Sequence, residues 1–127
     1  MEVAFIIIVI HFIADFIFQD EKWAVGKSKS IKMLLYHTIT YSYIWLCACI
    51  VLVSTSTIPI KFYLFVPITF VFHTLTDYFT SKVTSSLYAK GKFGSEVPNL
   101  GFFTMIGFDQ VLHYAQLFLT YHLINTY

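Results

Sequence analysis

Long apolar stretches, separated by short polar segments, dominate the chain. They cover residues 3–19, 31–54, 62–81 and 100–124. A helix needs about 20 residues to cross the ~30 Å hydrocarbon core of a bilayer, and only the first stretch falls short of that length. No segment alternates with the period of a β-barrel strand. The pattern predicts an all-α fold, a polytopic membrane protein whose residues 1–127 form a single domain, a four-transmembrane-helix bundle.

Composition agrees with a membrane location. Hydrophobic residues make up 57% of the 127 positions and charged residues only 12%, whereas a soluble domain carries about 25% charged residues. The eight basic residues are all Lys and are balanced by seven acidic ones. Because no basic patch can form, nucleic acid is excluded as a partner, and the expected partner is the lipid bilayer.

The lysines lie mainly between stretches one and two and between stretches three and four. The first group is Lys22, Lys27, Lys29 and Lys32, the second is Lys82, Lys90 and Lys92, and Lys61 alone lies on the other side. The positive-inside rule then predicts that both polar segments are cytoplasmic and both termini non-cytoplasmic. A signal peptide is the alternative interpretation of the first stretch, but it has no basic start, and His11 and Asp15 interrupt it. Asn99 is the expected N-cap of the last helix.

Each apolar stretch carries ionisable residues, which are costly in a membrane and therefore candidates for function. They are His11 and Asp15, then His37, then His73 and Asp77, and finally Asp109 and His113. Spacings of three and four residues place the polar groups of each helix on one face. At ~1.5 Å rise per residue, His11, His37, His73 and Asp109 all fall roughly 9–14 Å from the cytoplasmic end of their helices.

Imidazole and carboxylate groups in one layer are typical ligands of a divalent metal such as zinc, manganese or iron. The predicted metal ligands are His11, Asp15, His37, His73 and Asp77. Asp109 is the predicted catalytic base. The predicted cavity or second-layer residues are Gln19, Tyr41, Gln110 and His113. Two alternatives stay open: a polar core held by hydrogen bonds, and a proton or substrate relay without metal.

The pattern His-x-x-x-Asp-aromatic occurs twice, at His11–Phe16 and at His73–Tyr78. Both copies run from outside to inside in the predicted topology, and each precedes a Lys-bearing segment and another helix. This suggests two repeated helical hairpins related by a pseudo-two-fold axis along the membrane normal. The site would then lie on that axis, between the first and third spans.

These residues also resemble a family of small bacterial and phage integral membrane proteins of unknown function. The shared motifs are HxxxDFxxQ at His11–Gln19, a His early in the second span at His37, HxxxD at His73–Asp77, and DQxxH at Asp109–His113. The resemblance implies a polytopic protein of the bacterial inner (cell) membrane and brings no activity. The His73 motif is in addition similar to one in membrane-bound metal-dependent hydrolases.

Three functions compete. The first is a metal-dependent hydrolase acting on a lipid or phosphoester, with the metal lowering the pKa of a bound water. The second is a transporter or channel for a metal ion, proton or small solute, for which four spans suggest a homodimer. The third is a non-catalytic membrane-perturbing or assembly role, which leaves the ionisable layer without a purpose.

Overall fold

The computed structural model describes residues 3–93 and 100–127, all of them in helices and the turns that join the helices. The helices are α1 (Val3–Phe12, continued by a π-helical turn, Ile13–Ile17), α2 (Glu21–Gly26), α3 (Ile31–Ser54), α4 (Phe65–Ala89, preceded by a 3-10 turn, Ile60–Leu64) and α5 (Leu100–Thr126). No strand occurs in this part of the chain, which confirms the predicted all-α class. Asn99 lies outside the described residues.

Each of the four predicted stretches forms a helix, but the length of α4 and the hydropathy of the helices differ from what a four-span bundle requires. The helix α4 continues past Ser81 to Ala89, through part of the segment expected to be a loop. Among the described helices, only α3 is long and apolar enough to qualify as a membrane span, while Val3–Ile17 is apolar but shorter. Four spans are therefore not supported by length and composition, because the polar residues of α4 and α5 lower their hydropathy.

The four long helices form a ring. Within the described residues, α1 contacts α3 and α5, α3 also contacts α4, and α4 contacts α5, whereas α2 packs on α3. The helices α1 and α4 therefore face each other across the ring, as do α3 and α5. The corresponding helices of the two predicted hairpins, α1–α3 and α4–α5, thus lie diagonally opposite each other, as a two-fold repeat requires.

Interior and surface have an unusual distribution of polarity. The residues buried in the ring include as many polar or charged side chains as apolar ones, and four of them are His. Conversely, 34 large hydrophobic side chains are exposed in the described part of the chain. The buried apolar residues Ile7, Trp45, Phe65 and Leu117 form a cluster. On each helix, this residue lies farther from α2 than the buried His does. The polar layer therefore lies in the half of the bundle nearer α2.

Candidate metal centre

Four side chains from α1, α3 and α4 converge at the centre of the ring. The Nε2 atom of His37 lies 3.2 Å from Nε2 of His73, 3.2 Å from Oδ1 of Asp15 and 2.9 Å from Oδ2 of Asp77. The Nε2 atom of His73 lies 3.6 Å from Asp15 Oδ1 and 3.4 Å from Asp77 Oδ2. The side chains of His37, His73 and Asp77 are 1% exposed or less, and that of Asp15 is 5% exposed.

Two of these five separations, those from His73 Nε2 to the carboxylates, agree with the spacing of ligand atoms around one tetrahedral metal ion, and the three from His37 Nε2 are shorter. Metal–nitrogen and metal–oxygen bonds of about 2.0–2.2 Å place the ligands of a tetrahedral site roughly 3.3–3.6 Å apart. Asp15 Oδ1 and Asp77 Oδ2 face the shared space, and both lie within hydrogen-bond distance of His37 Nε2, at 3.2 and 2.9 Å. Two overlapping groups, Asp15–His37–His73 and His73–Asp77–His113, could hold a metal ion. The structure thus brings together four of the five predicted ligands.

A π-helical turn sets the direction of Asp15. Ile13–Ile17 follows α1 without a break, and the Phe18 N–H donates to the Ile13 carbonyl at 3.0 Å, which ends the helix. Single π turns inside helices are often found at functional sites. Because the helix ends here, Gln19 does not continue the face of His11 and Asp15, as the sequence had suggested. Its Oε1 atom has no hydrogen-bond partner among the described residues.

His11 supports Asp15 instead of contacting the shared space directly. Its Nε2 donates to Oε1 of Gln110 at 2.8 Å, and its Nδ1 accepts from the Tyr41 hydroxyl at 2.9 Å. The Gln110 amide donates in turn to Asp15 Oδ2 at 3.0 Å. One carboxylate oxygen of Asp15 is thereby fixed, and the other faces His37 Nε2 in the shared space. Both ring nitrogens of His11 are occupied, so its predicted role as a ligand does not fit this geometry.

Tyr41 has a second role in the site. Its ring stacks on the ring of His73, with centroids 3.7 Å apart and an angle of 6° between the planes. On the other face of the cluster, the His113 ring stacks on His73 at 4.2 Å. These contacts fix the orientation of a His whose Nδ1 has no hydrogen-bond partner among the described residues. Outer residues of this kind commonly orient metal ligands.

Lys27 is the member of the site that sequence reasoning missed. Its Nζ donates to Asp77 Oδ1 at 2.8 Å, and its side chain is 16% exposed. Burial alone lowers the pKa of Lys27, but the carboxylates of Asp77 and Asp15 and the hydrogen bond to Asp77 raise the pKa above its usual value. The ammonium is therefore charged at neutral pH and fixes one oxygen of Asp77, as Gln110 does for Asp15.

Lys27 reaches the site because α2 packs tightly on α3. Asp20 accepts a hydrogen bond from the Lys22 N–H as the N-cap of α2, and Lys27 follows the last residue of this helix. A Cβ at Gly26 would lie 3.0 Å from Cγ of Met33, so Gly allows the close approach. Asp20, a residue type that often caps helices, was the feature of the sequence that could have predicted a helix in this polar segment.

Asp109 and His113 form the more open edge of the cluster. The side chain of Asp109 is 14% exposed and lies 3.4 Å from His113 Nε2 through Oδ2. Its other oxygen accepts from the Thr80 hydroxyl. The His113 Nε2 atom also lies 3.5 Å from Asp77 Oδ1. Asp109 is therefore beside the four converging side chains but not among them, and it is more exposed than they are.

Replacing Gln110 by Ala is expected to weaken metal binding 10–100-fold, because outer-layer groups that orient ligands contribute about that much. Without its amide, Asp15 Oδ2 and His11 Nε2 lose their shared partner. Isothermal titration calorimetry, with zinc added to the detergent-purified protein, measures the change in affinity. The matched control is Gln116→Ala, since Gln116 donates to Thr69 and Thr120 instead. Equal affinity in the Gln110 variant and the wild type contradicts the assigned role.

Comparison with known proteins identifies a family but no activity. No curated protein and no solved structure matches the chain, so the similarity of the His73 motif to membrane-bound hydrolases stays a prediction. The resemblance to a family of unknown function is confirmed over nearly the whole sequence. A family model described as "Protein of unknown function (DUF3307)" matches residues 3–127, and the chain belongs to this family.

Proposed function

We propose that the chain is a polytopic membrane protein in which α1, α3, α4 and α5 all cross the bilayer and enclose a divalent metal centre. The inverted distribution of polarity supports the membrane location. The ring buries His and Asp side chains while apolar ones such as Phe72, Phe103 and Phe108 are exposed on its surface. In water this surface would be unfavourable, whereas lipid favours apolar exposure and paired polar groups inside.

The distribution of Lys supports an orientation with the metal centre near the cytoplasmic side. Seven of the eight Lys lie at the end of the bundle that carries α2, and Lys61 lies at the other. The positive-inside rule places the α2 end in the cytoplasm of a bacterial cell, with both termini outside the cytoplasm. Reporter fusions to the two termini test this orientation, and cytoplasmic termini contradict it.

The metal is proposed from one observation, the convergence of four ligand atoms on a shared buried space. Asp15 Oδ1, His37 Nε2, His73 Nε2 and Asp77 Oδ2 lie 2.9–3.6 Å apart in the five pairs given above. Two imidazoles with two carboxylates suit zinc, manganese or iron. A hydrogen-bonded polar core explains the cluster less well, because the single proton that His37 Nε2 can carry is shared between Asp15 Oδ1 at 3.2 Å and Asp77 Oδ2 at 2.9 Å.

The proposed activity is hydrolysis of a lipid or phosphoester. A bound metal ion supplies Lewis acidity and lowers the pKa of a coordinated water. Asp15, His37, His73 and Asp77 would hold such an ion, and manganese, iron or zinc would suit this set of ligands. Asp109 lies outside the ligand set at the more exposed edge, so its carboxylate can accept the proton of the water as general base.

Asp109→Asn is expected to keep one metal ion per chain and to lower hydrolysis at least 100-fold, the typical contribution of general acid–base catalysis. Elemental mass spectrometry of detergent-purified protein measures the metal, and release of phosphate or fatty acid from a panel of lipids measures the activity. Glu21→Gln, an exposed acidic residue of α2, is the control. Wild-type protein that is folded and monodisperse but takes up no zinc, manganese or iron contradicts the metal centre.

Transport is the second candidate, because the polar stripe of α5 continues beyond the centre. Gln116 donates to Thr69 at 3.3 Å and to Thr120 at 3.0 Å, on the side of the His layer away from α2. The apolar cluster that includes Trp45 and Phe65 fills the same half of the bundle. This cluster favours hydrolysis over a continuous path. Metal or proton flux into liposomes, with a homodimer as the expected unit, would support transport instead.

A further inference from the structure

The ammonium of Lys27 has hydrogen-bonding capacity that the cluster does not use. An ammonium carries three N–H donors, and within the described residues Lys27 donates to Asp77 Oδ1 alone, at 2.8 Å. The side chain of Lys27 is 16% exposed, whereas that of Asp77 is fully buried. Lys27 therefore uses one donor at the centre and has two available for a molecule that approaches from outside.

Lys27 and Asp109 mark the accessible edge of the centre. In the described part of the chain, α2 packs on α3 and on no other helix of the ring, so Lys27 reaches α4 through its side chain. Asp109 Oδ2 lies 3.4 Å from His113 Nε2, which is 3.5 Å from the Asp77 oxygen that Lys27 contacts. A molecule that reaches the proposed base Asp109 from the α2 end therefore also meets the ammonium of Lys27.

Orienting a carboxylate ligand does not by itself require a positive charge. The neutral amide of Gln110 donates to Asp15 Oδ2 at 3.0 Å and fixes that carboxylate. Lys27 makes the equivalent contact with Asp77 Oδ1, but with an ammonium. A partly buried ammonium costs more free energy to desolvate than an amide does. The charge at this position therefore indicates a role besides orientation.

A negatively charged substrate would need a fixed cation at this edge, because the carboxylates of Asp77 and Asp109 repel an anion. The sequence contains no Arg, the residue best suited to bidentate phosphate binding. Lys27 is the Lys that forms an ion pair with the cluster in the described residues, and Lys binds phosphate as a compact point charge. A neutral ester would have no group that requires such a cation.

We infer that Lys27 binds the anionic group of the substrate, so that the substrate is a phosphoester with a charged phosphate and not a neutral lipid ester. This inference rests on the proposed hydrolase and specifies its substrate class. Lys27 keeps one hydrogen bond to Asp77 and donates its other two N–H groups to phosphate oxygens. The substrate is thereby held at the edge where Asp109 lies.

The test is the binding of inorganic phosphate to the metal-loaded chain. Detergent-purified full-length protein is loaded with manganese, desalted and titrated with phosphate in a calorimeter. Lys27→Gln keeps a donor for Asp77 and removes the charge, so we expect one metal ion per chain and phosphate binding about 10–100-fold weaker than in the wild type. Lys27→Arg, which keeps the charge, and Lys29→Met, at an exposed Lys nearby, are expected to bind phosphate as the wild type does.

Hydrolysis assays identify the source of the phosphate group. Phosphatidic acid in detergent micelles and soluble glycerol phosphate are the two phosphoester substrates, and diacylglycerol is the neutral ester. Lys27→Gln is expected to raise the KM at least 10-fold for whichever phosphoester the wild type accepts. A wild type that hydrolyses diacylglycerol and neither phosphoester overturns the inference.

The outcomes separate this inference from the proposed function. A wild type without bound metal overturns the metal centre, and the inference falls with it. One metal ion without phosphate binding, or equal phosphate affinity in the wild type and Lys27→Gln, overturns the role of Lys27 alone. Loss of the metal from both Lys27→Gln and Lys27→Met assigns the ammonium to holding the centre together and also overturns that role. If Lys27→Gln is not monodisperse, Lys27→Met carries the same expectation, since it also removes the charge.

Discussion

Replacing His37 by Ala is expected to abolish stoichiometric metal binding. Its Nε2 atom is the hub of the site, within 3.2 Å of one atom each of Asp15, His73 and Asp77. Loss of an outer-layer group costs 10–100-fold in affinity, and loss of a ligand costs more. We therefore expect the bound metal to fall from one equivalent to a trace after desalting, measured by elemental mass spectrometry on detergent-purified protein.

His122→Ala is the matched control for this experiment. His122 lies on α5 near the end of the bundle away from α2 and is exposed, so its removal should leave one equivalent bound. Because His37 is buried, circular dichroism and size-exclusion chromatography must show that the His37 variant is folded. A folded His37→Ala protein that retains a full equivalent of tightly bound metal would falsify the assignment of His37 as a ligand.

The helices and the polar layer were predictable from local pattern. Apolar stretches separated by polar segments fix where the helices lie, and spacings of three or four residues place polar groups on one face. The repeat between His11–Phe16 and His73–Tyr78 predicted that the site lies between the first and third spans. In the structure, the imidazole centroids of His11 and His73 lie 6.4 Å apart, and the two residues belong to the opposite helices α1 and α4.

The division of roles within the layer was not predictable from the sequence. Whether His11 or His37 is a ligand depends on which ring nitrogens find partners on other helices, and here Gln110 and Tyr41 occupy both nitrogens of His11. The π-helical turn at Ile13–Ile17 changes the face of α1 by a fraction of a turn, and no residue type in that segment signals it. Long-range packing decides both features.

Lys27 shows a different limit of sequence reasoning. The lysines of the polar segments were read collectively, as markers of the cytoplasmic side. A single member of that group, brought back by a six-residue helix, pairs with Asp77 at the centre of the bundle. The aliphatic part of a Lys side chain can cross an apolar layer while its ammonium reaches a polar one. A charge assigned to topology can therefore also belong to a site.

Adding metal is expected to raise the unfolding temperature of the wild type by roughly 10–20 °C. A free metal concentration a thousand times the dissociation constant stabilises the folded state by about 4 kcal/mol, and each kcal/mol shifts the midpoint by about 2–8 °C in domains of this size range. The physical source is the pair of facing carboxylate oxygens, Asp15 Oδ1 and Asp77 Oδ2, which a metal would bind. Scanning fluorimetry in detergent, with zinc and then with excess chelator, measures the shift and its reversal.

Magnesium, which prefers oxygen ligands, and the His37→Ala variant with zinc should both give little change. An equal shift in the variant would mean that zinc stabilises the bundle from another site, and the convergence of His and Asp would then be a polar core.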